Sequence, residues 1–253
     1  MKDWEVAVDK FLAKWKRRED VIGAIVCGSY VTGNPLKHSD IDLHIILSDD
    51  VSSRERGNEV VDGFLIEYFA NPIRKHYEYS AEDFEERRKI NSHMFITGRV
   101  LFDKTGALKK FIEFAKKDFS KKYSSLSKVS LELSKYYVWD MCDNLEEVFS
   151  SGAEDFVFVY HNFLHDLFKH YSGFLRFDFF PAYRVLRFLT NAKDKKKYSI
   201  RDFPDKKFER LFVSAIKLQD KRLMMRAYKD LTDYVLAKMG GFNIDGWRIK
   251  SSV

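Results

Sequence analysis

Apolar residues alternate with two distinct periods along this chain, and the change of period divides it. Trp4, Val8, Phe11, Leu12 and Trp15 recur at helical spacing, which predicts an amphipathic helix over residues 3–18. Val21 to Val26 is a short apolar run that ends at Gly28-Ser29 and reads as a buried strand. Gly33, Asn34 and Pro35 then mark a loop. Ile41 to Leu47 reads as a second strand, and the polar stretch Asp49 to Asn58 reads as a loop or frayed helix. Val60 to Phe69 reads as a third strand, stopped by Asn71-Pro72.

From Ala81 onward the helical period dominates, interrupted where Val100 to Phe102 reads as a strand running into a turn at Gly106. Helices are expected over 107–122, 127–150, 154–175, 181–192, 205–219 and 221–239. Lys193 to Lys197 is expected to be a charged connector, and Gly240-Gly241 ends the last helix. The expected fold class is α+β: a small mixed β-sheet flanked by helices over residues 1–105, then an all-helical bundle over 106–253.

Composition narrows the function classes. In 253 residues, 45% are apolar and 23 are Phe, enough to bury a core in either part and to exclude a disordered chain. The formal charge of +6 suits an anionic ligand. Its 44 basic residues are interleaved with 38 acids, so nucleic acid is not an expected partner. Cys27 and Cys142 are the only cysteines and form no metal-binding or disulfide pattern, which predicts a reducing, cytoplasmic location. No apolar run reaches the ~18 residues of a membrane span, so no membrane partner is expected. A homodimer is compatible with the sequence.

The candidate chemistry sits in the first third. Gly28 can take positive φ and let the backbone approach a ligand closely, and Ser29 adds a hydroxyl beside it. Asp40 and Asp42 are two apart, so in a strand both carboxylates leave the same face. Such a pair repels unless a cation neutralises it or one acid is protonated. Mg²⁺ takes one or two carboxylates together with phosphate oxygens, and two such ions can clamp the attacking and leaving oxygens of a displacement. Glu67 lies in the middle of an otherwise apolar strand, where an unpaired acid is costly. Beside the Asp40–Asp42 strand it completes a three-carboxylate cluster; the plainer alternative is that it pairs with Arg or Lys.

Gly28-Ser29, Asp40-Ile41-Asp42 and an acid on a later strand together resemble the nucleotidyltransferase superfamily of DNA polymerase beta. The resemblance covers residues 21–69 directly. The Phe102-to-Gly106 turn and the helical second half are similar to small-molecule nucleotidyltransferases of the kanamycin and lincosamide type. The resemblance implies an enzyme that moves a nucleoside monophosphate, AMP from ATP foremost, to a hydroxyl of a small acceptor. It implies that Gly28 and Ser29 hold the nucleotide phosphates, with Lys37, His38 and Ser39 as further contacts. It also implies that Asp40, Asp42 and Glu67 bind one or two Mg²⁺ ions, with Glu67 either ligand or proton-accepting base. The helical part, 106–253, would bind the acceptor. Protein nucleotidylation of the antitoxin kind, and a catalytically weak nucleotide-binding regulator on the same fold, are the alternatives.

Weaker signals lie in the helical half. Tyr136, Asp140, Asp143 and Glu147 share one helix face, which reads as an acceptor-lining stripe or, more simply, a solvated face. His161 and His165 have the spacing of a helical metal pair, though core or surface histidines explain them better.

Overall fold

The computed structural model describes residues 2–33 and 35–250, so Asn34 of the predicted loop lies outside the described residues. The chain divides into two compact units, Met1–Lys121 and Lys122–Val253.

The first unit is a five-stranded mixed sheet with helices on both faces. Its elements run α1 (Asp3–Lys16), β1 (Val21–Cys27), α2 (Gly28–Thr32), β2 (Ile41–Leu47), β3 (Glu55–Val61), β4 (Phe64–Pro72), α3 (Ile73–Glu85), α4 (Ile90–Thr97), β5 (Arg99–Asp103) and α5 (Ala107–Ser120). The strand order is β3-β4-β2-β1-β5. β2 and β4 are parallel, and the other neighbours are antiparallel.

Alternation along the strands sends side chains into two separate cores. Ile41, Leu43, Ile45 and Leu47 of β2 join Ile66 and Ala70 of β4 against Trp4, Val8, Phe11, Leu12 and Trp15 of α1. On the other face Ile25, Cys27 and Ile46 pack with Ile73, Phe95, Phe111 and Ala115 of α3 to α5. Full burial of each aliphatic side chain contributes roughly 1.5–3 kcal/mol. α1 begins with acids and ends with Lys14 and Lys16, matching its dipole, and the Glu5 carboxylate accepts the Lys2 backbone N–H at 2.8 Å. Arg99 reaches the same Glu5 at 2.6 Å, tying the start of β5 to α1.

Two details of the sheet differ from the sequence reading. The polar stretch read as loop or frayed helix, Asp49 to Asn58, contains the first half of β3, an edge strand whose side chains are mostly exposed. The run read as one strand from Val60 to Phe69 is broken by a tight turn at Asp62-Gly63, where φ is 49° and 82°. Asp-Gly supports two consecutive positive φ values, the requirement of a two-residue hairpin whose twist matches its strands. Polar residues mark β3 because its outer edge faces solvent, so apolar periodicity could not reveal it. The helical region also starts earlier than Ala81, at Ile73, directly after Pro72 presets the chain direction.

The second unit is all-helical among the described residues: α6 (Lys128–Ser150), α7 (Phe156–Phe174), α8 (Ala182–Thr190), α9 (Ala192–Lys197), α10 (Lys206–Ile216) and α11 (Lys221–Lys238). Phe168, Phe203, Phe208 and Phe212 form the centre of its core with Tyr160, Tyr171 and Tyr228. Side-chain caps start three of the long helices: Ser127 accepts from Ser130 N–H, Asp205 from Lys207 and Phe208, and Asp220 from Leu223. Asp205 also accepts from the Tyr171 and Tyr234 hydroxyls at 2.6 and 2.8 Å. The segment read as a charged connector is the short helix α9, nucleated by Asn191 accepting from Lys193 and Asp194. No helix among the described residues is long and apolar enough to cross a membrane.

His44 of β2 and His76 of α3 lie buried between the sheet and the α3–α5 layer, their rings 5.7 Å apart. Burial, with the neighbouring His76 adding to it, holds His44 down at about 3, and burial holds His76 at about 4 despite its Asn91 hydrogen bond. Both imidazoles are therefore neutral in the fold, whereas the unfolded chain takes up protons near 6.5. Their linkage leaves stability unaffected above pH 6.5 and reduces it as the pH falls toward about 4. The slope reaches ~1.4 kcal/mol per pH unit for each histidine. Hydrogen exchange of β1 and β2 amides between about pH 7.5 and pH 5 reads this slope. His44→Phe should flatten it, and an unchanged slope in that variant would contradict the assignment.

Candidate active site

The site forms at the end of the sheet where β1 stops and β2 begins. β1 ends at Cys27, and the chain turns at Gly28 into the single turn α2, closed by the Gly33 N–H donating to the Ser29 carbonyl. Gly28 has φ +76°, and a Cβ built there would overlap the Asp42 carboxylate. Two constraints thus converge on one residue: a left-handed backbone and a close approach by an acid from the next strand. The antiparallel register that pairs Cys27 with Asp42 brings them together.

Asp42 is the second residue of β2, and Asp40 lies just before it. In the parallel pairing of β2 with β4, Asp42 stands opposite Glu67. The result is a cluster in which one oxygen from each of Asp40, Asp42 and Glu67 lies within 4.8 Å of the others, all three residues half-buried. This is the only group of three metal-capable side chains among the described residues. An all-carboxylate donor set is hard and suits Mg²⁺ or Mn²⁺ better than zinc. Three acids at this separation repel, and a divalent cation between them removes the repulsion.

The surroundings hold these acids without competing chemistry. Burial, then the Asp42 charge, pushes the Cys27 thiol well above its usual value, so it stays protonated and is no nucleophile. His44, on the same face as Asp42, stacks on Phe69 of β4 at 5.1 Å. Arg56 of β3 pairs with the cluster: its Nη2 donates to Glu67 Oε1 at 2.6 Å. Glu67 therefore meets both expectations raised by its position: it pairs with a basic residue, and it faces Asp40 and Asp42. Arg56 escaped the sequence reading because its segment looked like a loop; the Asp62-Gly63 dipeptide was the available signal that a strand precedes it.

The other predicted residues fall around this centre or elsewhere. Ser29 is half-buried at the start of α2. Lys37 and His38 are exposed on the loop before β2, and the Ser39 hydroxyl accepts the Leu36 N–H at 2.8 Å, holding that loop's turn. In the second unit the Tyr136 hydroxyl donates to Asp140 at 3.3 Å, and its ring stacks on Trp247 at 4.6 Å, while Asp143 and Glu147 are exposed. His165 Nε2 sits 2.9 Å from the Phe180 carbonyl and His161 is exposed, so this pair does not converge on a metal.

Comparison with known proteins agrees with the geometry. The family model described as "Nucleotidyltransferase domain" matches residues 8–148, more than half of the chain. The chain belongs to this family. Nucleotidyl transfer is accordingly its general activity, and the Gly28-Ser29 turn with the β2 acids is where its sequence resembles the superfamily of DNA polymerase beta. Among solved structures, a nucleotidyltransferase-like protein from Exiguobacterium sibiricum is similar, with a TM-score of 0.50 and 11% identity, over 93% of this chain and 75% of that one. At that identity the likeness speaks for the fold alone. No curated protein matches the chain.

A pair of glycine variants tests the Gly28–Asp42 approach. Gly33→Ala, at φ +81° in open space, should cost only backbone strain, about 1 kcal/mol. Gly28→Ala should cost more and displace Asp42, lowering the melting temperature further and weakening Mn²⁺ binding in a titration. Equal effects of the two variants would contradict the close approach.

Proposed function

We propose that this nucleotidyltransferase moves AMP from ATP to a hydroxyl of a small acceptor, using Mg²⁺ held by Asp40, Asp42 and Glu67. The observation that carries the proposal is the convergence of three carboxylate oxygens within 4.8 Å beside a glycine turn. One or two Mg²⁺ ions at these acids would neutralise charge on the triphosphate and the leaving pyrophosphate.

The chain's own residues have assigned tasks. Gly28 makes room for the Asp42 carboxylate, and the Gly28-Ser29 turn offers backbone amides and the Ser29 hydroxyl to the phosphate oxygens. Lys37 and Ser39 lie on the loop leading into β2 and serve as further triphosphate contacts, Lys37 as a point charge. The acceptor oxygen bonds to the α-phosphorus as the bond from that phosphorus to the bridging oxygen breaks, and pyrophosphate departs. The hydroxyl proton passes to solvent or, in the alternative in which Glu67 acts as base and not as metal ligand, to the Glu67 carboxylate. Residues 106–253 are proposed as the acceptor-binding part, since aromatic surfaces such as Tyr136 on Trp247, flanked by Asp140, suit a hydroxylated, cationic small molecule. The two unclustered thiols support a cytoplasmic setting, and the evenly mixed charge argues against a nucleic-acid acceptor.

Pyrophosphate release from MgATP, measured across a panel of hydroxylated acceptors, tests the proposal. At least one acceptor should raise the rate, EDTA should abolish it, and Asp40→Asn or Asp42→Asn should each lower it by about a hundredfold or more. Full activity in both variants would contradict the metal site. An active protein that uses only GTP or CTP would correct the donor, and AMP found on a protein partner would correct the acceptor.

A further inference from the structure

Three acids face one another in the cluster, and one of them, Glu67, pairs with an arginine from the neighbouring strand. Arg56 donates from Nη2 to Glu67 Oε1 at 2.6 Å. An exposed ion pair of this kind ordinarily contributes little, and the Arg56 side chain is 69% exposed. Two features set this one apart. Glu67 is itself only 18% exposed, so its end of the pair is largely shielded from water. The Arg56 guanidinium also lies over the Phe69 ring, 4.8 Å from its centroid, on the strand that carries Glu67. Phe69 is the register partner of Arg56 across the β3–β4 ladder, so the hairpin turned at Asp62-Gly63 fixes the platform as well as the arginine. A planar cation stacked on one residue and bonded to the next acid along has lost much of its freedom before any ligand arrives.

We propose that Arg56 is a positioning residue of the nucleotidyl-transfer site, occupying one oxygen of Glu67 so that the carboxylate offers the other to a divalent cation and holds that cation loosely. The inference rests on the reading of Asp40, Asp42 and Glu67 as the metal site. With Oε1 engaged, Glu67 serves as a single-oxygen ligand instead of gripping the ion with both oxygens. The guanidinium charge beside the cluster further opposes the charge of the incoming ion. The aspartates then supply most of the attraction, and a cation that arrives with a nucleotide can leave with the pyrophosphate. Before a cation binds, the same charge relieves part of the repulsion among the three acids.

The test is a Mn²⁺ titration of the full chain followed by electron paramagnetic resonance, with Mn²⁺ alone as the probe. Arg56→Met removes the charge and frees Glu67 Oε1, so Mn²⁺ should bind about tenfold tighter. Arg56→Lys restores the charge and should bring the affinity back to within about twofold of the unaltered protein. A merely structural role for Arg56 would weaken Mn²⁺ binding or leave it unchanged, since loosening the hairpin cannot tighten a metal site. Unchanged or weaker binding in Arg56→Met therefore overturns the inference, as does equal tightening in Arg56→Lys. Asp42→Asn separates the two levels of the argument. If that variant loses Mn²⁺ while Arg56→Met fails to gain it, only the role of Arg56 falls. If Asp42→Asn binds Mn²⁺ as the unaltered protein does, the site reading falls and this inference with it.

Discussion

The parallel pairing of β2 with β4 sets Asp42 opposite Glu67, and the arrangement of the first unit depends on keeping that register. Side chains alternate along a strand, so a slip of one residue would send Glu67 to the α1 face and put Ile66 or Tyr68 beside Asp42. What prevents the slip is hydrophobic: Ile41, Leu43, Ile45, Ile66 and Ala70 share the face that α1 covers. Displacing that set would expose several aliphatic side chains at roughly 1.5–3 kcal/mol each, more than the repulsion among partly solvated carboxylates is expected to return. The apolar face of the sheet holds the acids together.

The same register explains the neighbours of the acids. Cys27 pairs with Asp42 across β1 and β2, which places Gly28 directly under the Asp42 carboxylate and excludes a side chain there. His44, one step further along the acidic face, is packed among Phe69, His76 and Phe95 and stays neutral. Charge is thus confined to one end of β2, where a ligand can reach it, and the remainder of that face is apolar or uncharged. Arg56 is the basic group that the hairpin brings to this end, and it meets the acid on β4.

Much of this was legible in the sequence because the responsible signals are local. Gly28-Ser29 after an apolar run, and Asp40 and Asp42 two apart at the head of another, each need only a few residues to be recognised. Glu67 was legible because an acid stands out within Phe64 to Phe69. The long helices were also readable, since Trp4 to Trp15 of α1 and the helices α6, α7 and α11 repeat their apolar positions over several turns. Arg56 was not legible. Its strand is a solvent-facing edge with no apolar stripe, and its partner is known only once β3 is folded back on β4 through Asp62-Gly63. The Lys193-to-Lys197 run looked like a linker because its helix is nucleated by an Asn191 cap and has too few apolar positions for periodicity. Acceptor chemistry is the least legible part, because no local motif in the second unit specifies a ligand.

On the proposed reading, the β2–β4 register builds a divalent-cation site from Asp40, Asp42 and Glu67. Its most direct test is the anomalous difference map of a crystal grown with Mn²⁺ and a non-hydrolysable ATP analogue. The account predicts a Mn²⁺ peak bonded to oxygens of all three acids, with the triphosphate against Gly28 and Ser29. A nucleotide bound elsewhere, or Mn²⁺ peaks that leave these three carboxylates without an ion, would contradict it.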